Sequence, residues 1–579
     1  ADEKIADAEE EIADGEEKLN DLSVPDWYVL GRDTIQSGVE YGMDAERIGN
    51  IGKVFPVIFF LVAALVCLTT MTRMIEEERM LIGTMKALGY GKLAIASKYI
   101  FYAFSATLAG GVLGVLGGSK ILPYVIMSAY GMLYTNVPYK LMPYDPVHCL
   151  TAIGLALLCT VGAAFAACYK ELLSEPAALM RPPVPKRGRK IFLERIPFIW
   201  NHLNFSFKST IRNLLRYKKR FFMTVIGIGG CMSILLVSYG LHDAIAAIVD
   251  NQYKNIWTYS VSVGLEEKDS LEEKKALMEE ILSEKSELSK AMLARNISTD
   301  VSNENGSKSV YLYVVEGVDQ MEGLLSLHDR ESGQEHLLLD DGIIVSEKLA
   351  RMLKLAPGDL LTVKTGDTSY KEVTVLASAE NYLNNYIYMT PALYKEVYGE
   401  EAAFNEMFIK YNKTFTEEEE NALSQYLLAK EGVTSVSLAS RLQANVNDMM
   451  NALNLVVWVL VIAAGLLVFV VTFNLNNINI SERRRELASL KVLGFYDMEV
   501  AMYVYRENIF LTFFGILAGL FLGTWLDQYV IRTLEVEMIM FGRDISNYSY
   551  LMSTLLTIIF SVIVNAVMYY KLRQIDMVE

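Results

Sequence analysis

The chain has 579 residues, of which 52% are hydrophobic, and its 53 Lys and Arg stand against 69 Asp and Glu for a formal net charge of −16. A mean hydropathy of +0.25 is too apolar for an ordinary soluble protein of this size. The acidic balance argues against nucleic acid as a partner.

Residues 1–22 form a heptad seam in which Ala1, Ile5, Ala8, Ile12, Gly15, Leu19 and Leu22 alternate at spacings of four and three. The pattern reads as the returning end of a longer helical hairpin, and residues 1–50 as an extracytoplasmic coiled-coil end. The chain opens at Ala1 inside this pattern, with no initiator Met and no signal peptide. An upstream part is therefore expected beyond it.

Seven apolar stretches follow, near 54–72, 100–119, 148–168, 221–241, 453–473, 508–526 and 550–570, and none contains Asp, Glu, Lys or Arg. Each is long enough, at about 1.5 Å per residue, to cross roughly 30 Å of hydrocarbon. Residues 51–180 hold three of them, and 73–98 lie between the first two. There Ile82, Met85 and Leu88 recur every three residues among Glu76, Glu77, Glu78, Arg79 and Lys86. This reads as a short amphipathic helix closed by Gly89.

Residues 181–220 are a linker marked by Pro182, Pro183, Pro185 and Pro197. From 201 onward, Phe205, Phe207, Ile211, Leu214 and Leu215 lie among Lys208, Arg212 and Arg216, which suits a helix in the cytoplasmic interface. The membrane helix 221–241 leads into 242–452, whose mixed pattern predicts an α+β domain with its own core. Helices are predicted near 268–295, 345–355, 391–398 and 416–430, and strands at 310–315, 360–364 and 371–376. Residues 453–579 hold the last three spans.

The region around Met80 returns around Arg485. Met85-Lys86-Ala87-Leu88-Gly89-Tyr90 aligns with Leu490-Lys491-Val492-Leu493-Gly494-Phe495 at an offset of 405, and Gly110, Gly114 and Gly118 fall on Gly515, Gly519 and Gly523. Each copy reads as a span, a charged turn ending Lys-x-Leu-Gly, then a span with two overlapping GxxxG steps. Leu487, Leu490 and Leu493 repeat the apolar spacing of the first turn, with Arg484, Arg485 and Glu486 beside them. A docking surface explains duplicated spacing and charge better than a solvated turn does. The GxxxG steps point to helix packing between or within the halves. One difference stands out: Glu486 occupies the position of Leu81.

Lys and Arg orient the chain. Segment 169–220 holds thirteen of them against three acids, and Arg483, Arg484, Arg485, Lys491, Lys571 and Arg573 fall on the same side. That side is expected to be cytoplasmic, which leaves 1–50 and 242–452 outside. The five cysteines lie in or beside apolar spans, and the five histidines show no metal-ligand spacing, so neither a disulfide framework nor a metal centre is expected. No GxxxxGK[ST], HExxH or Gly-x-Ser-x-Gly occurs. The charge-free spans predict no intramembrane acid or base of the kind ion-coupled carriers use. No catalytic, cofactor or metal site is assigned, and the energy for any work is expected from a partner.

Span, turn, Gly-rich span and third span, then Tyr169-Lys170 and Glu175-Pro176-Ala177-Ala178-Leu179, resemble the FtsX-like permease domain, the membrane half of MacB-type ABC transporters. Arg212-Asn213-Leu214-Leu215-Arg216-Tyr217-Lys218-Lys219-Arg220-Phe221 resembles the start of a second unit. Asp341 to Ala350, with Leu355, Gly358 and Asp359, is similar to part of the periplasmic-type domain such permeases carry. The resemblance implies a polytopic α-helical membrane protein with two FtsX-like units, an extracytoplasmic α+β domain and a coiled-coil end. It implies a multi-pass plasma-membrane location in a Gram-positive bacterium, and a first unit short of its first helix. It further implies that two separate cytoplasmic ATPases bind ATP and Mg. The docking helices would present Glu78, Arg79, Lys86 and Gly89 in one half and Arg484, Arg485, Glu486, Lys491 and Gly494 in the other. The expected function is a permease subunit coupling that hydrolysis to export or extraction of an amphipathic peptide, lipid or drug. The alternative is a mechanotransmitter that activates an extracytoplasmic protein partner, such as a cell-wall hydrolase, without transport. A third reading, an unpowered scaffold or receptor, fits the duplicated turns less well.

Overall fold

The computed structural model describes residues 36–130, 144–180, 208, 210–212, 218–366, 369–482, 484–535 and 538–573. The heptad seam at 1–22, the proline linker and most of the interfacial helix expected at 201–220 lie outside these. The chain divides into two compact units, Ala1–Gly52 and Lys53–Glu579. Described residues of the first are helical, and the second carries the membrane spans and the α+β domain.

Seven helices are long and apolar enough to span a membrane. They are α1 (Gln36–Glu77), α3 (Lys92–Tyr130), α4 (Pro146–Leu173), α6 (Lys218–Asp250), α11 (Ala439–Glu482), α13 (Asp497–Leu534) and α14 (Asn547–Arg573). Short helices α2 (Arg79–Ala87) and α12 (Arg484–Val492) follow the first span of each repeated trio, and α5 (Pro176–Met180) follows α4. All seven expected spans are present.

The two trios build the same core. Ile75, Ile82, Ile95, Ala96 and Tyr99 are buried with Ala164, Cys168 and Leu172 in the first. Ile480, Leu487, Val500, Ala501 and Val504 stand at the same offset of 405, buried with Val564, Met568 and Leu572. The halves touch where α1 meets α11, through Asn474 Nδ2 donating to Thr70 Oγ1 at 3.0 Å.

In the second half, α6 is the hub. Its Ile228, Met232 and Leu236 sit in the notches left by Gly515, Gly519 and Gly523 of α13. Ridge and notch both advance four residues at a time, so one helix face interlocks along its length. A Cβ at Gly519 would lie 2.5 Å from Met232 Cγ and 2.9 Å from the Gly229 carbonyl oxygen.

Between α6 and α11 lies the α+β domain. Helix α6 continues through a π-helical turn, Asn251–Ile256, into strand β1 (Val261–Leu265). The remaining strands are β2 (Leu288–Asn303), β3 (Gly306–Val315), β4 (Ile343–Ser346), β5 (Leu360–Lys364), β6 (Tyr370–Ala379), β7 (Tyr386–Met389), β8 (Glu406–Tyr411) and β9 (Val433–Leu438). Strand order β3-β7-β4-β6-β5-β2, with β2 pairing back to β3, closes a six-stranded barrel. Its interior comes from alternate residues of every strand: Val301; Val310, Leu312 and Val314; Ile343 and Val345; Leu361 and Val363; Val373 and Val375; Ile387 and Met389. The long β2 then leaves the barrel to join β8, β1 and β9. Helices α7 (Leu271–Glu284) and α10 (Glu417–Leu428) share the core of that second sheet, each started by a capping box, Ser270 with Glu273 and Thr416 with Glu419.

The helix expected over 268–295 is half right. It stops at Glu284, and 288–295 opens the β2 strand, because pairing to β8 overrides local pattern there. The spans also carry acids that the charge-free windows hid. Helix α13 outruns the 508–526 window at both ends and buries Glu507 at 1% and Asp527 at 0% exposure.

Gly519→Ala should therefore destabilise the second bundle by about 1–3 kcal/mol, the usual penalty for overpacking. A lowered thermal midpoint in nanodiscs would register it, and an unchanged midpoint would contradict the interlocked seam.

Candidate functional site

Two matching turns lie beneath the repeated trios. In the first, α2 buries Ile82 and Gly83 and ends at Leu88, and Gly89 closes it at φ +90°. In the second, α12 buries Leu487 and Ala488, and Gly494 closes the turn at φ +94°. Both glycines adopt the left-handed cap conformation that L side chains resist.

The duplicated lysine points inward in each half. Lys86 Nζ donates to the Leu172 carbonyl at 2.9 Å and also to that of Ser174, at the end of α4. Lys491 Nζ donates to the Leu572 and Arg573 carbonyls at 3.1 and 3.3 Å, at the end of α14. Lys491 is buried and pairs with Asp497 at 3.0 Å. The last carbonyls of a helix lack intrahelical donors and carry its negative dipole end. A lysine ammonium with three donors satisfies both conditions. Each short helix is thus strapped to the third span of its own half.

The first turn has two further ties. Glu78 accepts from Lys98 Nζ at 2.6 and 2.8 Å and from the Tyr99 hydroxyl at 2.7 Å. The Lys98 hydrogen bond, then that of Tyr99, holds the Glu78 carboxyl below the usual carboxylate range. Helix α5 closes on Gly83, where an added Cβ would meet Leu179 Cβ and Met180 Cγ at 3.0 Å. The Glu-Pro-Ala-Ala-Leu motif is therefore a clamp on α2.

Of the residues singled out from sequence, Glu78, Lys86 and Lys491 are engaged within their own halves, Arg79 opens α2, and Gly89 and Gly494 set the caps. Arg484, Arg485 and Glu486 lie on α12, and their side chains fall outside the described residues. Sequence reasoning passed over the tips. Leu88 and Leu493 are 72% and 74% exposed, and Tyr90 and Phe495 beside them are also exposed. The helical spacing groups Leu88 and Leu493 with Ile82, Met85, Leu487 and Leu490 on one apolar face. The helices end before Leu88 and Leu493, which stand exposed while Ile82 and Leu487 are buried. Their presence in both copies of the hexad was the available signal.

A second constellation joins the spans to the α+β domain. The segment after α13 lies against it: Asn384 N donates to the Met538 carbonyl at 2.6 Å, and Met540 N to that of Tyr382 at 2.9 Å. Helix α8 (Glu347–Leu353) supplies Lys348, whose Nζ donates to the Ile539 carbonyl at 2.7 Å. Glu535, only 7% exposed, gathers Arg351 at 3.3 Å, Lys348 at 3.8 Å and Arg543 at 2.5 Å. From the α6 side, Gln252 accepts from Tyr382 N at 2.8 Å and donates to Asn381 at 3.0 Å, while Asn251 donates to the Tyr382 hydroxyl at 2.8 Å. Tyr382 also bonds Glu380, which meets His328 Nε2 at 2.8 Å. Burial and then the Glu380 contact push the Tyr382 phenol well up.

The glycine steps divide. Gly515, Gly519 and Gly523 pack on α6, whereas no described residue lies within 4 Å of a Cβ built at Gly110, Gly114 or Gly118. No group of three or more His, Cys, Asp or Glu among the described residues could hold a metal ion.

A family model for the FtsX-like permease C-terminal domain matches residues 53–174 and again 458–577. No curated protein matches the chain. Among solved structures, the periplasmic region of MacB from Actinobacillus actinomycetemcomitans is 12% identical over 34% of this chain and 96% of its own, with a TM-score of 0.21. The extracellular domain of the noncanonic ABC-type transporter YknZ from Gram-positive bacteria is 14% identical over 31% of this chain and 98% of its own, with a TM-score of 0.20. The two matched segments are the two repeated trios of spans, so the chain carries the FtsX-like permease C-terminal domain in two copies.

Proposed function

We propose that the chain is the membrane subunit through which two cytoplasmic ATPases, one under each short helix, drive export or extraction of an amphipathic peptide, lipid or drug. One observation carries this reading: both copies expose an apolar tip, Leu88 with Tyr90 and Leu493 with Phe495, on a helix strapped to a third span by an inward lysine. An exposed apolar pair on a rigid turn is a docking feature, and the strap makes the span follow whatever moves the tip. The docking surface is then the tip together with the α12 charges Arg484, Arg485 and Glu486, while Lys86 and Lys491 stiffen it.

In this reading residues 242–452 face outward, and the Glu535 node hands span movement to them. The same linkage favours the second reading, in which the domain moves an extracytoplasmic protein partner and nothing crosses the bilayer. Reconstituted transport of labelled lipid or peptide, set against activation of a wall hydrolase, separates the two.

Three outcomes are expected. Leu88→Asp combined with Leu493→Asp should cut ATPase co-purification at least ~10-fold, the equivalent of about 1.4 kcal/mol or more; undiminished co-purification would remove the docking assignment. An impermeant maleimide should label Ser302→Cys on intact cells and Tyr90→Cys only after permeabilisation, and the reverse pattern would invert the topology. Glu535→Gln leaves three cations around a neutral amide, a change on the order of 3–5 kcal/mol for a buried pair. It should keep the ATPase bound yet abolish the ATP-driven change in distance between spin labels at Ser302→Cys and Tyr548→Cys. A preserved change would show that force bypasses the node.

A further inference from the structure

We propose that the two tips are unequal seats for one ATPase species, and that the second half holds it more tightly, through Tyr496. This ranking holds only if the tips dock an ATPase at all, as proposed above. At the offset of 405, three exposed positions keep their character: Leu88 with Leu493, Tyr90 with Phe495, and Leu93 with Met498. A groove shaped for one set accepts the other, so one partner species fits both halves.

The rim around that shared set differs. Gly91 stands where the second half has Tyr496, which is 78% exposed. The second tip thus offers two adjacent rings and the first offers one. Ala87 stands where the second half exposes Val492. Charge changes in the same place. Asp497 pairs with Lys491 at 3.0 Å, so that acid is balanced within the chain, and its repeat position is the exposed Lys92. A lysine ammonium that a partner covers must give up its water. Interface cores are enriched in Tyr and depleted in Lys, and a covered Tyr is a frequent hot spot. All three differences favour the second seat. The first half's own extra apolar residues, Met80 and Leu81, are exposed at the start of α2. At about 1.5 Å per residue they lie roughly 10 Å before Leu88, outside the seat.

Tyr496 is also presented on a fixed backbone. Its N donates to Glu499 Oε2 at 2.9 Å, and its carbonyl accepts from Val500 N at 3.1 Å as α13 begins. A ring on a preorganised turn loses little freedom on docking. Gly91 leaves room for the reverse change. A Cβ built there meets no described atom within 4 Å, and its φ lies outside the left-handed region. The same ring can therefore be placed on the first tip without strain.

The test adds the ATPase that co-purifies from native membranes back to the stripped chain in nanodiscs. Leu88→Asp leaves the second seat, and Leu493→Asp leaves the first. Leu88→Asp should retain the ATPase at least ~10-fold more tightly than Leu493→Asp does. Adding Tyr496→Ala to Leu88→Asp should remove that advantage. Adding Gly91→Tyr to Leu493→Asp should restore tight binding, a gain that misfolding does not produce. Equal affinities of the two single variants, or affinities that neither ring change moves, would overturn the ranking and leave the docking reading intact. Two different ATPase polypeptides, one on each seat, would overturn it as well. Undiminished binding when Leu88→Asp and Leu493→Asp are combined would remove the docking reading, and the ranking with it.

Discussion

Each half depends on one lysine placed under the end of one helix. A transmembrane helix that stops at the bilayer surface leaves carbonyls without intrahelical donors, and its dipole concentrates negative charge there. Lys86 and Lys491 answer that need from the neighbouring short helix. The contact makes the short helix an extension of the span above it. Without it, α2 and α12 would be surface helices of nine residues, too short to persist on propensity alone.

From that strap the rest of the mechanics follows. The buried residues of each trio pack short helix, first span, glycine span and third span into one core, so displacement is shared among them rather than absorbed. In the second half the displacement has three exits toward the domain. Helix α6 enters it through the Asn251–Ile256 turn, β9 leaves it directly into α11, and Glu535 fastens the segment after α13 to α8. A domain held at three places moves with the bundle as a body. Its closed barrel, with an interior drawn from all six strands, resists shear inside the domain.

Much of this was legible in the sequence because it is periodic. Charge-free runs gave the seven spans, and the offset of 405 gave the equivalence of the turns. The mixed pattern placed the helices near 345–355, 391–398 and 416–430 within a few residues. What escaped is what depends on where a helix stops or on what lies far away in the chain. Leu88 and Leu493 follow the helical period, and only the early termination at the glycine turns them outward. Lys86 and Lys491 look like surface charges until the third span ends beside them, more than eighty residues on. Pairing to β8, more than a hundred residues on, made a strand of residues patterned like a helix. Glu507 and Asp527 vanished from view because a window chosen to exclude charge must end at charges.

The halves share their apolar seats, the lysine strap and one hydroxyl contact between second and third spans, Thr107 with Thr160 at 2.8 Å and Thr512 with Ser561 at 3.0 Å, but they differ in their other polar ties, and this bears on how they respond to equal forces. In the first half, Glu78 is tied to Lys98 and Tyr99, and α5 closes over α2. In the second, three asparagines converge inside the bundle: Asn476 and Asn508 both donate to Asn565 Oδ1, at 3.2 and 3.0 Å. Met71 and Ala103 stand at the repeat positions of Asn476 and Asn508. Interhelical hydrogen bonds of this kind are worth roughly 0.6–2 kcal/mol each in a membrane, and they hold a defined rotation where Met and Ala permit sliding. The second trio is therefore the stiffer one within the bilayer, and it is the trio joined to the α+β domain. The first trio is braced at its base, where α2 and α5 meet. Equal pushes on the two tips would turn the second bundle as a unit and move the first chiefly about its base, so the duplicated halves are mechanically distinct.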